Sequence, residues 1–429
     1  LSYNQPKFCP TAMWNTKGIT LANQSIVGWY PFAIFINTNN TIYVANKENR
    51  TIVVWDEQSV NPTKNIYGDF TEPLSLFVTP NGDIYIDDGR EKGRVLKWIV
   101  ETNKFATVMN VHSSCFGLFV DIDNTLYCSI FAQQQVVKRS FNDPLMTSNR
   151  VAAGTGIKGY GLNELNGPVG IFVDINLDLY VTDCDNDRVQ LFQSGESNGI
   201  TVAGSGSRNP TITLDCPSGI ILDAEKYLFI VDLLNNRIVG SSSNGFQCLV
   251  GCYGRGSQSN QLTLPFSLSF DRSGNIYVAD NDNFRIQKFQ YIEESCHNLV
   301  VIETMYSSSL ISNSSTYFKD CSELDSYYEA IQMNINITGY YAFLISSKMK
   351  SMYAYIYTNN FNPFDVSENV LSHNKDYENQ GQFKVTAILQ ANMIYVVVMT
   401  TSSQNLTGNF SIQVFGPSYV GFNRIREYL

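Results

Sequence analysis

Short apolar segments recur along this 429-residue chain, each with a Tyr or Phe twelve positions after its opening residue. The segments open at Pro31, Pro73, Cys115, Pro168, Pro217 and Pro265, and the aromatics are Tyr43, Tyr85, Tyr127, Tyr180, Phe229 and Tyr277. A spacing held through six copies marks a repeat architecture.

With the opening residue of each copy counted as zero, position two is always small: Ala33, Ser75, Gly117, Gly170, Gly219 and Ser267. Positions three and five are always apolar, from Ile34 and Ile36 in the first copy to Leu268 and Phe270 in the last. A short apolar run with one compulsory small residue suits a strand packed on both faces at a crowded centre. A turn follows, as at Asn81-Gly82 or Ser273-Gly274, and then a second strand such as Ile276-Tyr277-Val278. A polar turn leads to a third strand (Arg188–Phe192, Arg285–Phe289), and a weaker fourth precedes the next copy (Ile200–Gly204). Four antiparallel strands repeated every 42 to 53 residues make propeller blades rather than the coils of a β-solenoid. The predicted fold class is therefore all-β: a six-bladed β-propeller followed by an antiparallel β-sandwich.

The last copy supplies three strands, and Gly18–Ala22 resembles the fourth strand Ile200–Gly204. Residues 18–22 are expected to close the sixth blade and so remove an open edge. That brings Cys9 towards Cys296, where a disulfide would lock the join.

The best copies, Pro265–Phe289 with Gly274-Asn-Ile-Tyr-Val-Ala-Asp280 and Arg285-Ile-Gln-Lys-Phe289, and Pro168–Phe192 with Gly170, Asp174 and Asp183, resemble NHL repeats. The arginine before the third strand stands at Arg188, Arg237 and Arg285; Thr51 and Gln135 replace it in the first and third copies, and Arg94 comes one residue late in the second. The resemblance spans residues 14–290. NHL propellers include RNA-binding discs, receptor sensor domains, amidating lyases and extracellular adhesion-like proteins, and the last suits this chain. Together with a β-rich C-terminal module, the pattern is similar to secreted or cell-surface NHL proteins of invertebrates.

The expected domains are a propeller over 1–292, a linker over 293–316 that includes the Ser-rich stretch Ser307–Ser315, a sandwich over 317–416, and a tail over 417–429. Strand candidates in the sandwich are Tyr328–Ile337, Tyr340–Ile345, Met352–Tyr357, Phe383–Leu389, Ile394–Thr400 and Phe410–Phe415. Strands and turns alternating at this spacing read as a sandwich. The pattern resembles pre-peptidase C-terminal and CUB-like modules, which bind carbohydrate or protein or act as spacers.

A net charge of −10 argues against nucleic-acid binding, which needs a basic surface. The longest apolar window, Met393–Met399, is too short to span a bilayer. The chain opens at Leu1 without an apolar targeting run and reads as processed protein. N-glycosylation sequons occur at Asn23, Asn39, Asn49, Asn313, Asn336, Asn405 and Asn409. Asn336 continues the alternation of Ile331, Met333 and Ile335, which puts it on a strand's polar face. Sequons and cysteines together predict an extracellular, secreted or cell-surface location.

The nine cysteines are Cys9, Cys115, Cys128, Cys184, Cys216, Cys248, Cys252, Cys296 and Cys321. Besides Cys9–Cys296, the pairs Cys115–Cys128, Cys184–Cys216 and Cys248–Cys252 are candidates. Cys128 also reads as a small strand filler, and Cys321 competes with Cys9 for Cys296 as the odd thiol. Connectivity cannot be fixed from spacing alone.

Only three histidines exist, His112, His297 and His373, and none shares a metal-ligand spacing with another. No catalytic or cofactor-binding residue is predicted. Asp183-Cys-Asp-Asn-Asp187 and Asp280-Asn-Asp-Asn283 read as turns more readily than as calcium loops. Asp365, Glu368, Asp376 and Glu378 carry the same weak calcium reading. Gly154-Thr-Gly156 and Gly204-Ser-Gly206 read as inter-blade turns.

The expected function is that of a non-catalytic extracellular glycoprotein binding protein or glycan in adhesion or matrix. Self-assembly through the sandwich edge or the tails Leu1–Lys7 and Gly416–Leu429 is a variant of it. The alternatives are a metal-dependent hydrolase or lyase using the propeller channel, and the ligand-sensing ectodomain of a receptor.

Overall fold

The structure is a computed structural model. It describes residues 3–143, 148–207, 212–242, 245–296, 302–318, 325–349, 352–363, 369–375, 381–401 and 406–425. It separates into two units. The first is 1–8, 14–240 and 255–291; the second is 9–13, 241–254 and 292–429. Among the described residues no helix is long and apolar enough to cross a membrane.

The repeat builds six four-stranded antiparallel sheets. Their inner strands are Ile34–Ile36, Leu76–Val78, Gly117–Val120, Pro168–Val173, Pro217–Leu222 and Pro265–Phe270. Each inner strand touches the next, and the last touches the first, so the sheets close into a six-bladed ring. Ile19–Ala22 is the outer strand of the sixth sheet, with Ile19 opposite Lys288 and Ala22 opposite Ile286. This N-terminal strand thus ties down the last blade and leaves no open edge there.

Position two is small because the neighbouring blade's backbone occupies its space. A Cβ on Gly170 would lie 2.1 Å from the Ser218 carbonyl oxygen, and one on Gly117 2.7 Å from that of Val169. Where the position carries a hydroxyl, the close approach becomes a hydrogen bond. Ser75 Oγ donates to the Cys115 carbonyl (2.7 Å) and Ser267 Oγ to that of Phe32 (2.6 Å). Second strands add to the seam: Ser129 donates to the Val169 carbonyl, and Thr182 to that of Ser218 at 2.9 Å. The aromatics at position twelve pack between the blades. Tyr85, Tyr127, Tyr180, Phe229 and Tyr277 are all buried.

In the second unit two sheets face each other. One has the order Ile302–Leu310, Gly408–Gly416, Gly339–Ser347, Gln382–Leu389. The other runs Ser315–Phe318, Asp325–Ile335, Ile394–Thr401, Met352–Thr358, Val370–Lys375. Alternating residues such as Ile331 and Met333, Phe343 and Ile345, and Ile412 and Val414 fill the space between them. Cys248 belongs to the same core, with Cys252 packed against it.

The expected linker contains the nine-residue strand Ile302–Leu310, paired along its length with Gly408–Gly416. Its serines conceal it, because Ser has little strand preference of its own; here cross-strand backbone pairing holds it. The expected tail is also a strand. Val420–Arg424 pairs with Ile331–Ile335, on the edge that Asp325–Ile335 shares with Ser315–Phe318. Buried Glu329 joins the two sheets, accepting from Tyr306 Oη (2.6 Å) and Ser308 Oγ (2.8 Å) and pairing with Arg424 (3.1 Å). A carboxylate buried between sheets needs such donors.

Gly170→Ala is expected to destabilise the propeller by about 3 kcal/mol, because backbone has to move to admit the methyl group. Ser75→Ala loses one hydrogen bond and should cost about 1 kcal/mol. Thermal unfolding of both variants beside the parent checks the order; equal losses would contradict the crowded-seam account.

Candidate functional site

Propellers offer two places for chemistry, the central channel and the loop faces around its mouths. The channel here is lined by the inner strands. Position four carries Phe35, Phe77, Phe119 and Phe172, with successive ring centroids 5.0, 4.9 and 5.0 Å apart. Residues 3–8 cross that end of the channel, beside the turns between first and second strands. The Tyr3 ring meets Phe119 at 5.3 Å and Phe172 at 5.2 Å. Asn4 Nδ2 donates to the carbonyls of Asn37 and Phe270, and Ala224 N–H to that of Pro6. Phe8 closes the plug against Trp14, Phe229, Phe270 and Tyr291. About 110 Å³ of space remains inside, below the few hundred Å³ typical of a small-molecule site. The lining hydroxyls of Ser75, Ser218 and Ser267 are spent on carbonyls of the next blade.

One acid beside this seam is perturbed. Asp87 is buried and accepts from the Cys115 N–H at 2.9 Å. Burial pushes its carboxyl up to about 7, opposed by the backbone N–H groups it accepts from.

At the opposite mouth lie the loops entering each inner strand and the turns between second and third strands. Phe116, Phe131 and Phe266 cluster there, at 5.3 and 6.4 Å between centroids, and Phe32 meets Phe266 at 4.9 Å. In four of the six blades a buried Asp at or just after the end of the second strand latches this face. Asp183 pairs with Arg188 (2.7 Å), Asp232 with Arg237 (2.8 Å), Asp280 with Arg285 (2.6 Å), and Asp88 with Arg94 (2.5 Å). Asp183 also accepts from Asn166 N–H, and Arg188 donates onward to the carbonyls of Tyr160, Gly161 and Glu164. Arg285 does the same for Ser257, Gln258 and Gln261. Burial raises the carboxyls of Asp183, Asp232 and Asp280 above the ordinary range, and the arginines oppose it. A latch therefore fixes the incoming loop by its backbone and leaves the loop's side chains free to vary.

Two of the carboxylates read as candidate calcium ligands, Asp183 and Asp280, belong to these latches. Asp187 accepts from Cys216 N–H and Asp282 pairs with Arg255. Asp365, Glu368, Asp376 and Glu378 lie outside the described residues, as do Asn405, His297 and Cys321. His112 is exposed, and His373 lies against the Tyr355 ring.

Disulfides join Cys115 to Cys128, Cys184 to Cys216 and Cys248 to Cys252. Cys9 is also disulfide-bonded; the side chain of Cys296 is outside the described set. Close to Cys9, Thr11 Oγ1 donates to the Ser295 carbonyl at 2.8 Å. Asn23, Asn39, Asn49, Asn313, Asn336 and Asn409 are all exposed. Asn336 sits in the bend after its strand, which stops at Ile335. The position-four rings, the plug and the latches are features that the period-twelve reading passed over, although Phe at position four recurs in four copies.

A family model described as the NHL repeat matches residues 262–289. No curated protein sequence matches the chain. The chain is similar to a protein of unknown function from Bacteroides thetaiotaomicron VPI-5482, with TM-score 0.51 and 13% identity over 65% of this chain and 73% of that one. It is also similar to an auxiliary nutrient binding protein of the same organism, with TM-score 0.50 and 13% identity over 68% and 76%. A streptogramin B lyase matches with TM-score 0.46 and 14% identity over 63% of this chain and 96% of that one. At such identities the likeness is one of fold.

Asp87 binds its proton more tightly when folded, so the folded state holds more protons between the ordinary value of 3.8 and about 7. Its contribution is therefore fully present below that window and is lost as pH rises through about 7, a swing of about 4 kcal/mol. Asp87→Asn should remain stable at pH 8 and remove this part of the slope. Unfolding free energies from pH 4 to 8 check it; parallel curves for parent and variant would count against a buried proton.

Proposed function

We propose that this chain is a non-catalytic extracellular glycoprotein whose propeller presents its loop face to a protein or glycan partner. The filled channel carries the proposal. Its rings, plug and spent hydroxyls leave space below that of a substrate pocket, while the latches hold the opposite face as a rigid frame for variable loops. That face exposes Ile157, Tyr160, Leu162 and Leu234.

Exposed sequon asparagines and the disulfides support passage through an oxidising compartment. A related fold serves an auxiliary nutrient binding protein, in keeping with a binding role. Neither terminal segment favours the self-assembly variant. Tyr3–Phe8 is held in the channel and Val420–Arg424 pairs within its own sheet.

The full chain secreted by eukaryotic cells is expected to lose mass on treatment with a peptide-N-glycosidase and to bind cell surfaces. Leu162→Glu on the loop face should weaken that binding at least about tenfold, and Ile122→Glu or Ile175→Glu on the turn face should not. An unglycosylated secreted chain, or equal effects from both faces, would overturn the proposal.

A further inference from the structure

The loop face repeats one joint at three of its six seams, and at the seam between the sixth and first blades an aromatic ring replaces the acceptor. In the turn between second and third strands, a residue with left-handed backbone offers a side-chain acceptor to the residue just before the next inner strand. Gln134 accepts from Gly167 N–H (2.7 Å), Asp187 from Cys216 N–H (2.9 Å) and Asn236 from Leu264 N–H (2.9 Å). Between the sixth and first blades the same two positions are Phe284 and Tyr30, left-handed at φ 52° and 54°. Phe284 has no acceptor to offer. Left-handed backbone suits Asn, Asp or Gly and strains a large aromatic residue, and such strain clusters at functional sites.

The altered joint yields exposed rings. Phe284 stands edge-on to Trp29 (4.6 Å) and to Tyr30 (5.0 Å), holding both upright. Trp29 and Tyr30 are 45% and 40% exposed, whereas Trp14, Trp55 and Trp98 are buried. Polar groups rim the patch: Lys47 beside Tyr30, and Arg255 paired with Asp282 two residues before Phe284.

We infer that Trp29, Tyr30 and Phe284 form a stacking platform for a neutral oligosaccharide at the joint of the sixth and first blades. The inference rests on the binding role proposed above and names its partner class. Three features select that class. The rings touch one another and enclose no cage, and Lys47 Nζ already stands 5.8 Å from the Tyr30 centroid, so a cationic ligand is disfavoured. The exposed ring area is roughly 200 Å², against about 800 Å² on each side of a stable protein interface. A sugar ring offers a face of weakly positive C–H bonds to the negative π-face of an aromatic ring, and its hydroxyls can meet the charged rim.

The test titrates the full glycosylated chain with cellotriose, chitotriose and mannotriose by calorimetry and tryptophan emission. Saturable binding of at least one trisaccharide is expected, with an emission change reporting on exposed Trp29. Phe284→Asn restores the kind of acceptor used at three other joints. It should keep or raise Tm while weakening calorimetric binding at least about tenfold, and Trp29→Ala should weaken binding similarly. A purely structural role for the rings predicts instead a lower Tm for Phe284→Asn with binding unchanged. Trisaccharide binding that survives both substitutions overturns the platform and leaves the binding role standing. So does an absence of trisaccharide binding in a chain whose cell-surface binding Leu162→Glu still abolishes. Binding that appears only after N-glycan removal makes the chain's own glycan, such as one on Asn49, the resident occupant and supports the platform. Loss of neither kind of binding in any loop-face variant brings down both readings.

Discussion

Everything in the propeller turns on how closely one inner strand approaches the carbonyls of the next. At Gly170 that approach leaves no room for a methyl group, and at Ser75 and Ser267 it is bridged by a hydroxyl. Burying a backbone carbonyl without a partner costs free energy. The seam therefore has to be tight and polar together, which a small or hydroxylated residue allows. Around the ring this sets the channel's width and uses up the hydroxyls that line it.

A channel built in this way is narrow and largely filled. Phe rings pack edge-on or tilted along one end, and Tyr3–Phe8 fill the opening, with Asn4 donating to blade carbonyls and Pro6 accepting from the Ala224 N–H. Variation is left to the loop face, where the Asp–Arg latches hold backbone rather than side chains. A loop clamped by its carbonyls can change its side chains without losing its path. The joint between the sixth and first blades shows the limit of that freedom, for there the backbone keeps its left-handed form while the acceptor is exchanged for an aromatic ring.

Much of this was legible in the chain. The aromatic at position twelve and the small residue at position two mark a propeller, because inter-blade packing repeats and imposes the same residue types at the same places. The latches were half visible: Arg188, Arg237 and Arg285 stand out, but their carbonyl partners are set by loop geometry and have no sequence signal. Ile302–Leu310 was hidden because a Ser-rich edge strand takes its conformation from its neighbour, and Val420–Arg424 because five residues of mixed character resemble any tail. Asn336 was assigned to a strand one residue too far, since alternation does not show where pairing stops.

By itself the sequence determined the repeat, the strand order within a blade, and the small and aromatic positions that recur in it. Each of these follows from local periodicity or residue chemistry. The tertiary structure alone decided that Tyr3–Phe8 plug the channel, that Asp183, Asp187, Asp280 and Asp282 pair with Arg or backbone N–H groups, and that Trp29 and Tyr30 meet Phe284. The plug and the aromatic joint include contacts that ring closure makes across more than 200 positions, as from Asn4 to Phe270 and from Trp29 to Phe284, and no local pattern carries such a distance.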